Sequence, residues 1–242
     1  MATITSMATP TDMDTITATA EPFPLLRLLQ LASPALPVGA FNFSQGLEYA
    51  VEQEWVRDAA SAGEWILGIG AHGIARVDLP LLLRLHAAWS AGDAARALQL
   101  SRELVATRET REARAEERHM GQALAKILVE FGIDAARDWQ REPSASHAAL
   151  FALAASHAGA PARDTALAYL WTWAENQVLA AVKLIPLGQT DGQRMLEKIR
   201  QRIPRLVALA EALGDEEIGS AAPLAIMAGA WHETQYTRLF RS

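Results

Sequence analysis

The chain has no cysteine among its 242 residues. That absence removes disulfides, thiolate nucleophiles, zinc knuckles and iron–sulfur clusters together, and it suits a reducing compartment. Positive charge is also in short supply, 22 Lys and Arg against 28 Asp and Glu, for a net charge of −6. A chain of that balance is not built to bind nucleic acid or an anionic membrane nonspecifically, so a protein or a small molecule is the expected partner. The uncharged stretch from Ser144 to Ala162 contains three serines, two histidines and the breakers Gly159 and Pro161. It is too polar and too interrupted to cross a bilayer, no other stretch reads as transmembrane, and the cytosol is the expected location. Residues 1–22 carry seven threonines and three methionines but no Lys or Arg. They lack both the basic and the apolar region of a secretory signal and read as a disordered tail.

What is abundant is alanine, 48 residues of it, with leucine and arginine in long runs. Few β-branched clusters occur, so the expected class is all-α, in one domain over 23–242. Half of the residues are apolar and 21% are charged, the balance of a chain that folds. Start and stop signals divide it into about eight or nine helices. Gly68, Gly70 and Gly73 lie inside a helix expected over Ala59–Ala75. Asp78 and Pro80 open a Leu-rich helix ending near Gly92, and Asp93 caps the next, which runs to about Ala106. Met120, Leu124, Ile127, Leu128 and Phe131 form one apolar helical stripe. Upstream on that helix, residues 108–118 hold four arginines and four glutamates. The run reads first as a solvated face with pairs such as Arg108/Glu112 and Arg114/Glu117. Pro143 and Pro161 bracket another helix; Asp164, as N-cap, begins a long one reaching about Leu184; and Gln189 to Leu213 is amphipathic with a kink at Pro204. Ala166 to Ala181 is apolar nearly all round, which makes it the candidate centre of the bundle.

Familiar chemical motifs fail on context. Gly68, Gly70 and Gly73 spell G-x-G-x-x-G, with Asp93 twenty residues on, but no strand precedes them; inside a helix they serve close packing instead. Glu116 and His119 form an E-x-x-H pair, yet the second copy and further glutamates of a di-metal site are missing. His232–Glu233 opens like a zinc-protease motif, with Tyr236 where the second histidine is required. Asp215, Glu216 and Glu217 follow Gly214 as a dipole-favoured helix start. No catalytic, cofactor or metal residues are therefore assigned, and the one alternative is a helical metal-binding protein or enzyme using Glu116 and His119.

Three segments exceed what core-building requires. Ser33-Pro-Ala-Leu-Pro-Val-Gly-Ala-Phe41 is followed by Ser44-Gln-Gly-Leu-Glu48. Its prolines and glycines impose a defined loop, Pro37 and Gly39 suiting the second and fourth positions of a type I turn, with Phe41 and Phe43 as anchors. Glu175-Asn-Gln177 places polar groups on the apolar helix and leads through Lys183 to Pro186-Leu-Gly-Gln-Thr190. Such groups need partners, either in a closed network or along a wet passage. The third segment runs from Trp231 to Ser242, with Tyr236, Leu239 and Phe240 among locally basic residues. It can dock on its own core or anchor a partner.

On these three segments the sequence resembles the urease accessory protein family UreF. The carriers are SPALPVGAF with SQGLE, ENQVLAAVKLIPLGQT, and HETQY with RLFRS, in that order; the likeness extends over 23–242. Asn42-Phe43 stand where the family has Ser-Tyr, and Trp231 where it has a basic residue. The resemblance implies an all-α, dimeric, cytosolic protein without catalysis of its own. It would bridge the UreD/UreH accessory protein and the nickel-carrying GTPase UreG, modulate GTP hydrolysis, and help nickel enter apo-urease. It also implies partner contacts at His232, Glu233, Gln235, Tyr236, Arg238, Leu239, Phe240 and Arg241 and in the loop of Pro37, Gly39, Phe41 and Phe43. A nickel path or its gating would be sought at Glu48, Glu175, Gln177 and Lys183.

Overall fold

A computed structural model describes residues 23–220 and 222–242; the expected tail over 1–22 lies outside them. Among the described residues there are eleven α-helices and no strand, so the all-α expectation holds with two or three helices more than anticipated. They are α1 (Pro24–Leu31), α2 (Leu47–Glu52), α3 (Ala59–Ile69), α4 (Asp78–Ser90), α5 (Ala94–Ala106), α6 (Arg111–Glu130), α7 (His147–His157), α8 (Ala162–Leu184), α9 (Gln189–Arg200), α10 (Ile203–Ala212) and α11 (Pro223–His232).

Local chemistry sets most of the boundaries. Asp58 and Ser61 exchange side-chain-to-backbone bonds in a capping box before α3, and Asp93, Thr110 and Ser146 accept from the first turns of α5, α6 and α7. Pro204 does more than kink its segment. It sits in the first turn of α10, so the stretch over 189–213 divides into two helices. The long helix starts at Ala162 after Pro161, which leaves Asp164 in its first turn and not at its cap. The expected helix over 59–75 ends as regular α-structure at Ile69 and closes with a π-turn over Gly70–Ile74. Gly70 there meets the Trp173 ring of α8: a Cβ built on it would lie 3.3 Å from the indole.

α8 is the longest helix and packs against α9, α4, α10, α3 and α7. It is not the most enclosed one. Nine residues of α7 are buried, His147 to Ala155, between α4 and α6, whereas α8 leaves Leu179 and Lys183 exposed. Gly121 lets α6 and α7 approach: a Cβ there would fall 2.6 Å from the carbonyl carbon of Ala145. One apolar cluster runs through the molecule from Leu28 to Phe240. No single helix among the described residues is long and apolar enough to cross a membrane.

Candidate functional site

The loop after α1 is rigid for identifiable reasons. Gly39 has φ +81°, and a side chain there would also press on the His119 ring. Pro37 and Val38 form the turn expected there, and Val38 N–H bonds to Leu36 C=O at 2.8 Å across Pro37. Phe43 is buried edge-on to His119, while Phe41 remains exposed, so one of the two expected anchors serves.

This loop receives the segment that follows α11. The Ser242 carbonyl oxygen accepts from Ser44 N–H at 2.6 Å, Ser44 Oγ at 2.6 Å and Gln45 N–H at 3.1 Å, and Arg241 N–H donates to Asn42 C=O at 2.8 Å. Gly46 (φ +82°) turns the chain into α2, and its backbone lies so close to α11 that a Cβ would sit 2.9 Å from Gly229 N. On α2, the buried Glu48 carboxylate accepts from Leu239 N–H at 2.6 Å and Phe240 N–H at 2.9 Å. Its Oε2 also faces His232 Nε2 at 3.1 Å. The other ring nitrogen of this fully buried histidine faces Glu112 of α6 at 2.8 Å, and Arg238 donates to the same carboxylate. Glu233 accepts from the N–H of Glu112. Lys183 closes the third side, its ammonium 5.8 Å from the ring centres of both Phe41 and Phe240. The three segments singled out by sequence therefore meet in one place.

Within that assembly the side chains divide sharply. His232 and Phe240 are buried against the chain's own core, so they present no surface; Tyr236 is fully exposed and Leu239 two-thirds exposed. Gln235 donates to Thr237 C=O, and its Oε1 is buried without a partner. Leu224, Met227 and Trp231 form an exposed stripe on α11. Trp231 packs on Tyr49 and Trp55 at ring separations of 5.5 and 6.0 Å.

Beneath the docked segment lie two cavities of about 140 and 50 Å³. Gln45, Asp78, Arg108, Glu116 and Glu117 line both. Arg108 bridges Asp78 of α4 and Glu117 of α6, and Glu117 also accepts from His147 N–H at 3.0 Å. Burial outweighs the pull of Arg108 on Asp78 and holds its carboxyl above the ordinary range; the two acids hold the Arg108 guanidinium well above its own. Burial likewise pushes Glu116 up to about 7 and, in the opposite sense, His147 down to about 4. Glu116 accepts from Gln45 Nε2 at 2.7 Å and from Ser242 Oγ at 2.9 Å.

These contacts correct the reading of residues 108–118 as a solvated face. Glu116 and Glu117 are buried, and Arg108 pairs with Glu117 and Asp78, not with Glu112. The signal was present: counting back from Leu128, Leu124 and Met120 in steps of four reaches Glu116 and Glu112. Glu116 faces inward while His119 is exposed beside Gly39 and Phe43, so the E-x-x-H pair does not converge. Among the described residues no group of three or more His, Cys, Asp or Glu is placed to hold a metal ion. Of the four positions considered for a nickel path, Gln177 lines the smaller cavity, its Oε1 buried without a partner. Glu48 instead holds backbone, Lys183 is exposed, and Glu175 is half-buried, desolvation raising its carboxyl. Asp78, Arg108, Glu112 and Glu117 are the members of the site that motif reading did not select.

Comparison with known proteins decides the family. The UreF family model matches residues 56–200. The chain belongs to the UreF family. It is 48% identical over 216 residues to a urease accessory protein UreF of Alkalilimnicola ehrlichii, covering 89% of this chain and 95% of the relative. The UreF of Chromohalobacter salexigens is 44% identical over 223 residues, covering 92% and 96%. That of Azoarcus sp. is 46% identical over 224 residues, covering 90% and 96%.

Proposed function

We propose that this chain is a non-catalytic urease maturation factor of the cytosol. It bridges the UreD/UreH accessory protein and the nickel-carrying GTPase UreG, modulates GTP hydrolysis, and helps nickel reach apo-urease. The observation that carries the reading is identity of 44 to 48% along about nine-tenths of the chain with proteins named urease accessory protein UreF. The architecture supports it physically. Conspicuous side chains, Tyr236, Leu239, Trp231 and the α11 stripe, face outward on a backbone held by buried hydrogen bonds. A preordered segment of that kind loses little further freedom when a protein covers it.

In this reading the contact with the UreD/UreH partner is made by Tyr236, Leu239, Arg238, Arg241 and the exposed Phe41. His232, Glu233, Gln235, Phe240, Pro37, Gly39 and Phe43 shape that surface from behind. The chain works as a homodimer, for which the exposed leucines Leu25 and Leu29 of α1, beside Trp171 of α8, offer an apolar face around a cleft of about 520 Å³. The test is nickel content and urease activity in cells carrying the cognate urease and its other accessory proteins, with and without this chain. Both rise only in its presence if the proposal is right. Equal loading without it ends the maturation role. Truncation before Tyr236 abolishes capture of the UreD/UreH partner while helicity is kept; undiminished capture removes the surface assignment and leaves the role standing.

A further inference from the structure

Glu116 sits where three things meet: the wall shared by two cavities, the loop ahead of α2, and the segment that docks on that loop. Its two carboxylate oxygens are divided between them, Oε1 accepting from Gln45 Nε2 and Oε2 from Ser242 Oγ. Gln45 is held in turn by the Trp173 indole N–H, which donates to its Oε1 at 2.7 Å. Its backbone is one of only two non-glycine positions with positive φ among the described residues, at +53°, so the side chain is aimed by a conformation that the surroundings must maintain.

We propose that Gln45, Glu116 and Ser242 form a proton-sensitive clasp, in which the charge on the cavity wall controls how firmly segment 238–242 is docked. Ser242 lines the larger cavity, so lifting this segment removes part of the wall and lets water reach the Glu116 carboxylate. A buried carboxylate is penalised relative to a solvated one, and the docked state accordingly binds the proton more tightly than the lifted state.

The hydrogen bonds from Gln45 and Ser242 and the charge of Arg108 relieve the penalty in part, and burial still outweighs them. Arg108 is the guanidinium within reach, and it is already committed to Asp78 and Glu117. Glu117, next to Glu116 on α6, adds like charge. From α7 and α8 come His147 and Tyr169, which burial keeps neutral at pH 7. Protonation costs no hydrogen bond, because the Ser242 hydroxyl can accept from the acid as readily as it donates to the anion.

The sign follows from the raised value. Between the ordinary carboxyl range and about 7, the docked state holds a proton that the lifted state has released. The ratio of docked to lifted segment therefore falls as pH rises through that window, by up to about 300-fold where lifting solvates the carboxylate fully, and levels off above it. This clasp stands whether or not the segment meets a partner protein.

The experiment is NMR of the uniformly ¹⁵N-labelled full chain from pH 5 to 8, following the Trp173 indole and the Arg241 amide. The two titrate together with a midpoint near 7 in the unaltered chain. In Glu116→Gln, which mimics the protonated acid, both stay at their low-pH positions. A flat profile in the unaltered chain, or a shared titration that survives in Glu116→Gln, overturns the clasp. Ser242→Ala supplies a second reading that leaves Gln45 and Glu116 in place. Trp173 still titrates and Arg241 does not; continued joint movement of the two shows that the coupling does not run through Ser242, and the proposal falls.

Discussion

Glu48 shows how much one side chain can organise. A single carboxylate satisfies two successive backbone N–H groups and faces a buried imidazole, all from a segment some 190 positions away in sequence. Hydrogen bonds to a charged group contribute about 1.5 to 3 kcal/mol each, and removing one partner of a buried charged set strands the others. Glu48→Ala is therefore expected to lower the free energy of unfolding by about 3 kcal/mol or more, read from the urea midpoint at constant m. Proteolytic cleavage within 233–241 should appear well before global unfolding. At this scale the sequence was partly legible. Glu48 and His232 stand out as polar residues in conspicuous motifs, but nothing in their local spacing says that they face each other. That pairing depends on the crossing of α2 and α11, which is fixed by the backbone contact of Gly46 with Gly229.

The helices themselves follow closely from caps and periodicity. Asp93 caps α5 as its spacing requires, and the Leu-rich helix opens at Asp78. What misleads is charge. The four arginines and four glutamates of residues 108–118 have the composition of a solvent face, yet the apolar stripe of α6 continues straight through two of them. Composition averages over all sides of a helix, whereas burial is decided side by side; the register argument was the better guide. Arg108 joins α4 to α6 through Asp78 and Glu117, and His147 N–H ties α7 to the same carboxylate. Arg108→Ala leaves two buried acids without their cation and should cost about 3 to 5 kcal/mol in urea unfolding. Breaking an exposed pair such as Arg200 with Glu197 the same way should leave the urea midpoint nearly unmoved.

Taken over the entire molecule, two buried groups pull against each other. Glu116 has its carboxyl raised to about 7, so its contribution is intact at low pH and stability declines as pH rises from the ordinary carboxyl range to that value. His147 has its imidazole lowered to about 4. The unfolded chain protonates it first, so stability declines as pH falls from about 6.5 towards 4. Across the overlap the slopes oppose and nearly cancel. Glu116→Gln should unmask the histidine, with stability rising by up to about 3 kcal/mol between pH 4 and 6.5. His147→Gln should unmask the carboxyl and slope the other way. Chemical denaturation at half-unit pH steps separates the three curves, and parallel curves would contradict the assignment. The fold class and the convergence of three segments could be anticipated from the sequence. This balance could not, because both shifts arise from desolvation by helices distant in the chain.

The docked segment also bears on time. Ser44 and Ser242 touch across 198 positions, among the longest closures in the fold, while the core of α4, α6 and α7 forms between nearer neighbours. Contacts that close so large a loop are the last to repay their entropy, so they are expected to form after the folding barrier is crossed. Weakening them should leave the refolding limb of a chevron almost unmoved and steepen the rate of escape from the native state. The lifetime of the folded molecule, more than the speed at which it is reached, is thus set by Glu48 and the loop ahead of it.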